Sequence, residues 1–138
     1  MRWLILTIIS LILWGCWSIF IKLSLKYTSW QRATLISVAS SFIIALIVNL
    51  IIKSKSSINT SALCYASIAG ILGVLGTLAF NSALEIGKAS LVTSVSALYP
   101  LVTLLLARIL LNEKISSIQL IGIILAIIAI ILMSSGRI

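Results

Sequence analysis

Acidic and imidazole side chains are almost missing from this sequence. Its 138 residues include two carboxylates, Glu85 and Glu113, and neither histidine nor aspartate. Catalysis by a histidine or by a pair of carboxylates therefore lacks its groups. Zinc sites draw on Cys, His and carboxylates, and the two cysteines here lie within apolar stretches. We therefore expect no enzyme activity, no metal site and no cofactor.

Charged residues of either sign are also scarce. They make up 9% of this chain, whereas a soluble domain contains about 25%. With 62% hydrophobic residues, the chain cannot cover itself with a water-facing surface, so a soluble globule is excluded. The net charge of +8 comes from scattered lysines and arginines rather than from a basic patch. The expected partner is the lipid bilayer, and no nucleic acid is expected.

Five uncharged apolar runs are long enough to cross a bilayer. A hydrocarbon core about 30 Å thick needs about 20 apolar residues in a helix. The runs predict an all-α, multi-pass integral membrane protein with five transmembrane helices in a single domain, residues 1–138. The helices are expected at about 3–25, 31–52, 60–84, 89–111 and 116–135.

Local signals mark several of the helix ends. Thr28-x-x-Gln31 and Ser116-x-x-Gln119 have the spacing of a capping box, so we expect them to open the second and fifth helices. Gly87 follows the third apolar run, at a position where a left-handed residue commonly closes a helix.

Polar and aromatic side chains fall on restricted faces of the predicted helices. In a membrane such groups turn toward other helices or a cavity, and aliphatic groups face lipid. We therefore expect a substrate cavity lined by Trp14, Trp17, Ser18, Thr77, Asn81, Ser96 and Tyr99. For the two tryptophans, helix packing or a place at the membrane interface is an equal alternative. For Asn81, a hydrogen bond to another helix is the alternative to one with substrate. Pro100 lacks a backbone N–H and predicts a kink in the fourth helix.

Small residues form stripes on the third and fifth helices. Small side chains allow the backbones of membrane helices to approach closely. Helix packing is therefore expected through Gly70, Gly73, Gly76, Gly122, Ala126 and Ala129. Glu85, at the end of the third helix, is expected to pair with Lys22 or Lys26, with substrate contact as the alternative.

Lysines and arginines are divided equally between the two sides of the predicted bundle. One side carries Arg2, Lys53, Lys55, Arg108 and Lys114, and the other carries Lys22, Lys26, Arg32, Lys88 and Arg137. Orientation follows the Lys/Arg difference between short loops, and here five cations face five. Two outcomes stay open: either the chain inserts in both orientations, or Arg2 or the Lys53/Lys55 pair fixes one orientation.

Several short segments, taken in order, form a recognisable pattern. They are residues 83–92 (ALEIGKASLV), 98–103 (LYPLVT), 111–115 (LNEKI) and 119–122 (QLIG), and residues 13–15 (LWG) fit the same pattern. Together they resemble the EamA domain of the drug/metabolite transporter superfamily. Larger members carry two five-helix repeats of opposite orientation, with the substrate site between them. The resemblance implies that this chain is one repeat, completed in a dimer by an inverted second copy or a paralogous half-transporter.

The resemblance also implies a function and a location. It points to transport of small metabolites or drugs by alternating access, across the cell (plasma or inner) membrane. It aligns Pro100 with the family's proline in the fourth helix and Glu113 with a structural glutamate. Two alternatives stay open: a subunit of a lipid-linked sugar flippase, and a non-transporting accessory or structural membrane subunit.

Overall fold

The chain folds into helices joined by short connections. A computed structural model describes residues 2–52 and 58–135. The helices are α1 (Arg2–Ser24), α2 (Trp30–Ile51), α3 (Thr60–Ile86), α4 (Ala89–Ser96), α5 (Tyr99–Leu110) and α6 (Ser117–Ser135). These two described ranges contain no strand, and the predicted all-α class is confirmed.

Most of the helices are long and apolar enough to cross a membrane. Four stretches in the described ranges meet both conditions: α1, α2, α3, and the stretch formed by α4 and α5. The last helix, α6, is apolar but shorter. The five predicted helices therefore correspond to four spans and one shorter apolar helix.

The fourth predicted helix is interrupted. Helix α4 ends at Ser96, Ala97 and Leu98 form a turn, and α5 begins at Tyr99 with Pro100 in its first turn. Proline suits a first turn because the N–H groups there have no partner within the helix. The structure thus has two helices joined by a short turn where one kinked helix was expected over residues 89–111.

The two predicted capping boxes have different outcomes. At the start of α6, the Gln119 N–H donates to Ser116 Oγ at 3.2 Å, and the Ser116 N–H donates to Gln119 Oε1 at 2.7 Å, so this box is confirmed. The box predicted at Thr28 is wrong. Helix α2 begins at Trp30, and the residue that precedes it, Ser29, makes no side-chain capping bond.

The left-handed helix cap lies at a different helix end than expected. No glycine in the described ranges has a positive φ, so the cap predicted at Gly87 is wrong. Asn112, two residues after the end of α5, has a φ of 54°. Asparagine adopts this conformation more readily than most residues. It turns the chain so that the Glu113 N–H donates to the Ala107 carbonyl oxygen at 3.3 Å.

The helices form two compact units. The N-terminal unit (Met1–Ile86) contains α1–α3, and the C-terminal unit (Gly87–Ile138) contains α4–α6. Within the N-terminal unit α3 packs on both α2 and α1, and within the C-terminal unit α4 packs on α6.

Burial is confined to one end of the N-terminal unit. The buried side chains of the described residues are Ser18, Ile21, Ala33, Thr34, Asn81 and Leu84. They lie in the last two turns of α1 and α3 and in the first two turns of α2. We call this region the closed end. Beyond it most large apolar side chains are exposed, which suits helices surrounded by lipid.

Candidate functional site

A buried hydrogen bond joins α3 to α2 at the closed end. Asn81 is 0% exposed, and its Nδ2 donates to Thr34 Oγ1 at 2.8 Å. The Thr34 hydroxyl in turn donates to the Trp30 carbonyl oxygen, four residues earlier in α2, at 2.8 Å. Within the described part of the chain, Asn81 Oδ1 is buried without a hydrogen-bond partner. The closed end therefore contains one satisfied and one unsatisfied polar group of the same amide.

Two charged side chains contact helix ends in the same region. Lys22, in the last turn of α1, donates from Nζ to the Leu84 carbonyl oxygen near the end of α3. Glu85 Oε1 accepts from the Trp30 N–H, the first residue of α2, at 3.3 Å. A cation near the carbonyl end of a helix and an anion near its N–H end are both favourable. The Ser29 side chain accepts no hydrogen bond from the first N–H groups of α2. Glu85 of α3 therefore provides an acceptor at this helix end.

Trp17 connects all three helices of the N-terminal unit. Its Nε1–H donates to Ser37 Oγ on α2 at 3.1 Å. Its ring stacks on Phe80 of α3, with centroids 5.5 Å apart and planes 21° apart. The indole is half-buried, so part of it stays accessible. Ser37 and Phe80 were absent from the predicted cavity. Phe80 directly precedes the predicted residue Asn81, whereas α2, which carries Ser37, contributed no residue to that cavity.

The other predicted cavity residues of this unit differ in exposure. Trp14 is 61% exposed. Ser18 is buried and its hydroxyl donates to the Gly15 carbonyl oxygen at 2.8 Å, while the half-buried Thr77 hydroxyl donates to Gly73 at 2.8 Å. In this conformation Trp14, Trp17 and Thr77 are accessible, whereas Ser18 and Asn81 do not reach a solute.

The remaining predicted residues belong to the C-terminal unit. Ser96 ends α4 and Tyr99 begins α5, and both are exposed. Tyr99 and Pro100 line a cleft of about 360 Å³ between α5, the connection after it and the start of α6. The full lining is Tyr99, Pro100, Thr103, Leu104, Ala107, Glu113, Lys114, Ile115 and Gln119.

The small-residue stripes face open space. A Cβ added at Gly70, Gly73, Gly76 or Gly122 would meet nothing within 4 Å. Ala126 and Ala129 are exposed on α6. Close packing through these residues is therefore not made within the described part of the chain, and it stays a prediction for contact with another chain.

These features define a class of protein. The helices are apolar, exposed over most of their length, and joined by polar groups between helices, as in an integral multi-pass membrane protein.

The particular family follows from comparison with known proteins. The chain matches the EamA-like transporter family over residues 1–135 and belongs to that family. It is 32% identical over 131 residues to an uncharacterized protein of Methanocaldococcus jannaschii, and the match covers 95% of each chain. No solved structure matches it significantly. The resemblance to the EamA domain is confirmed.

Proposed function

We propose that this protein carries a small metabolite or drug across the cell membrane by alternating access, as one of two five-helix repeats in a dimer. The observation that supports this most is the extent of the family match, which accounts for residues 1–135 with a single repeat. A carrier of this kind is built from two opposed repeats, and in this proposal another chain supplies the second one.

The exposed surfaces of the helices agree with a missing second repeat. The stripe of Gly70, Gly73 and Gly76 on α3 is open, and so is Gly122 on α6. Gly-rich faces are the ones through which membrane helices approach each other. A second chain packed there would use surfaces that this chain leaves unfilled.

An inverted second copy is the proposed partner, with a paralogous half-transporter as the alternative. The support is the equal distribution of five lysines and arginines on each side of the predicted bundle. With no Lys/Arg difference, neither orientation is favoured. Two copies in opposite orientations then form a pair about an axis in the membrane plane.

The proposed substrate cavity is lined by Trp14, Trp17 and Thr77 from this chain. These three side chains are accessible and lie on α1 and α3. Ser18 and Asn81 form its buried wall at the closed end, because both are buried there. Ser96 and Tyr99, in the C-terminal unit, stay predicted as substrate-binding residues through their hydroxyl groups.

Orientation is the first property to test. We would fuse a cytoplasm-only fluorescent reporter and a periplasm-only phosphatase, separately, after Ile138. Two matched variants each remove one cation: Lys26→Gln from one side, and Lys114→Gln from the other. For a chain poised between orientations, both reporters are active and the two variants shift their ratio in opposite directions. A single active reporter that neither variant changes excludes the inverted pair of identical chains.

Transport itself is tested in proteoliposomes. A defined mixture of amino acids, nucleosides, sugars and quaternary amines is loaded inside, and its loss is followed by mass spectrometry. Trp14→Ala should alter the rate or apparent affinity for the transported solute. Trp3→Ala is the matched control, because Trp3 is also exposed, at 70%, and lies near the start of α1. Equal effects of both substitutions would remove Trp14 from the cavity, and no protein-dependent loss of any solute counts against the carrier.

A further inference from the structure

The cleft of the C-terminal unit has a charged end and an apolar end. Glu113 and Lys114 lie on the connection between α5 and α6, and both line the cleft. The Glu113 N–H donates to the Ala107 carbonyl oxygen, because the left-handed conformation of Asn112 turns the chain back toward α5. This hydrogen bond holds Glu113 beside Ala107. The charged end of the cleft is therefore at the level of Ala107.

The apolar end runs along α5 away from these charges. Leu104 and Pro100 line it beside Tyr99, and Pro100 lies seven positions before Ala107 along α5. At a rise of 1.5 Å per residue, this distance is about 10 Å along the helix. Thr103, whose hydroxyl donates to the Tyr99 carbonyl oxygen at 3.3 Å, lies between the two ends.

The position of the cleft in the membrane follows from the helices beside it. The connection carrying Glu113 and Lys114 joins two apolar helices, so it lies at the boundary between the headgroups and the hydrocarbon. The charged end is thus at headgroup level, and the apolar end extends from it into the hydrocarbon layer. A ligand with a zwitterionic head and an apolar tail would match both ends of the cleft.

We propose that this cleft binds a zwitterionic phospholipid. The carboxylate of Glu113 pairs with the headgroup ammonium, and the Lys114 ammonium pairs with the phosphate. The start of an acyl chain lies against Leu104 and Pro100. The cleft volume of about 360 Å³ holds a headgroup and the first part of a chain; the rest of the lipid stays in the bilayer. A water-soluble zwitterion would leave the apolar end unfilled.

The test measures lipid binding directly and involves no transport. The purified protein in detergent is titrated with phosphatidylethanolamine or phosphatidylglycerol of identical acyl chains, and bound lipid is counted by native mass spectrometry. We expect at least fivefold tighter binding of phosphatidylethanolamine, because phosphatidylglycerol has no ammonium. Glycerophosphoethanolamine, which has the same head but no acyl chains, should not compete. Competition by it at equal concentration would show a headgroup site without lipid contact and overturn the proposal.

Variants separate the two ends of the cleft. Glu113→Gln should abolish the preference between the lipids, and Lys114→Gln should weaken binding of both, because both contain phosphate. Thr103→Leu narrows the cleft without changing its charge and should weaken phosphatidylethanolamine binding at least fivefold. The control is Lys26→Gln, at an exposed lysine of the N-terminal unit, and it should leave the binding of both lipids unchanged. Equal binding of both lipids by the unmodified protein, or a preference kept by Glu113→Gln, refutes the site.

Discussion

The hydrogen bond between Asn81 and Thr34 makes a measurable contribution to the stability of the closed end. Thr34→Val keeps the shape of the side chain but removes the acceptor of Asn81 Nδ2. Because Asn81 is 0% exposed, the amide N–H cannot turn to water. A buried donor left without an acceptor costs about 1–3 kcal/mol, so we expect Thr34→Val to lower the free energy of unfolding by that amount.

A second variant, Asn81→Ala, separates the contribution of the hydrogen bond between Asn81 and Thr34 from the other effects of Thr34→Val. It removes the amide and leaves a cavity, but it also removes Oδ1, which has no hydrogen-bond partner in the described residues. Thr34 stays satisfied in this variant because its hydroxyl donates to the Trp30 carbonyl oxygen. Interhelical hydrogen bonds in membranes couple by about 0.6 kcal/mol on average and by up to about 1.7 kcal/mol. Thr34→Val should therefore cost less in the Asn81→Ala background, by an amount in this range.

The assay is unfolding by sodium dodecyl sulfate in mixed micelles, followed by tryptophan fluorescence. Thr77→Val is the matched control, because the half-buried Thr77 donates its hydroxyl within its own helix, to the Gly73 carbonyl oxygen. This control should change stability by no more than about 0.5 kcal/mol. Equal costs of Thr34→Val in both backgrounds would refute the interhelical bond. A cost of Thr77→Val as large as that of Thr34→Val would refute the argument from burial.

Three further substitutions test single contacts by the same unfolding measurement. Trp17→Phe keeps an aromatic ring but loses the bond to Ser37, and it should cost about 0.5–1.5 kcal/mol; no loss contradicts that bond. At the positive φ of Asn112, Asn112→Gly should be tolerated, whereas Asn112→Val should cost about 1–2 kcal/mol; equal behaviour of the two variants argues against the left-handed backbone. Glu85→Ala should cost about 0.3–1 kcal/mol by removing an anion from the start of α2, and less at high salt; a cost independent of salt contradicts this account of the contact with Trp30.

Helix ends show which features of the fold can be predicted from sequence. The capping box of Ser116 and Gln119 is an interaction over three residues, so its spacing contains all the information needed. The start of α2 is different, because its acceptor is Glu85, 55 residues away along the chain. No local pattern at Thr28 could show that the cap comes from another helix. Long-range contacts of this kind decide a helix end only after the helices have packed.

The candidate site shows the same division between local and long-range information. Periodicity identifies which face of a helix is polar, and it selected Trp17 and Asn81. It does not identify the opposing residue, so Ser37 and Phe80 were missed. Nor does periodicity show how deeply a side chain is buried: Asn81 was expected to bond to another helix or to substrate, and in this structure its amide donates to Thr34 of α2. Apolar runs predicted the helices themselves because lipid imposes length and hydropathy on each span separately.

The closed end has a consequence for the proposed inverted pair. Side-chain contacts tie α1, α2 and α3 together at the closed end. They are made by Asn81, Glu85, Lys22 and Trp17. In the inverted pair, the closed ends of the two copies lie on opposite sides of the membrane. If both copies kept the same conformation, the two sides would be equivalent, and a central cavity could not open to one side alone. Alternating access in this pair therefore requires the copies to differ, with the ties loosened in one of them.

When the two identical chains exchange these conformations, the cavity opens to the opposite side of the membrane. The free energy of the pair does not change, because the two arrangements are related by symmetry. An inverted pair of identical chains thus has no built-in preference for inward or outward opening. The direction of net transport would then follow the gradients of the solute and of any coupled ion. A pair made with a paralogous half-transporter has no such symmetry, because its two closed ends differ in sequence and their ties differ in strength. Equal rates of uptake and efflux under mirrored gradients distinguish the two pairs, since only the identical pair requires them.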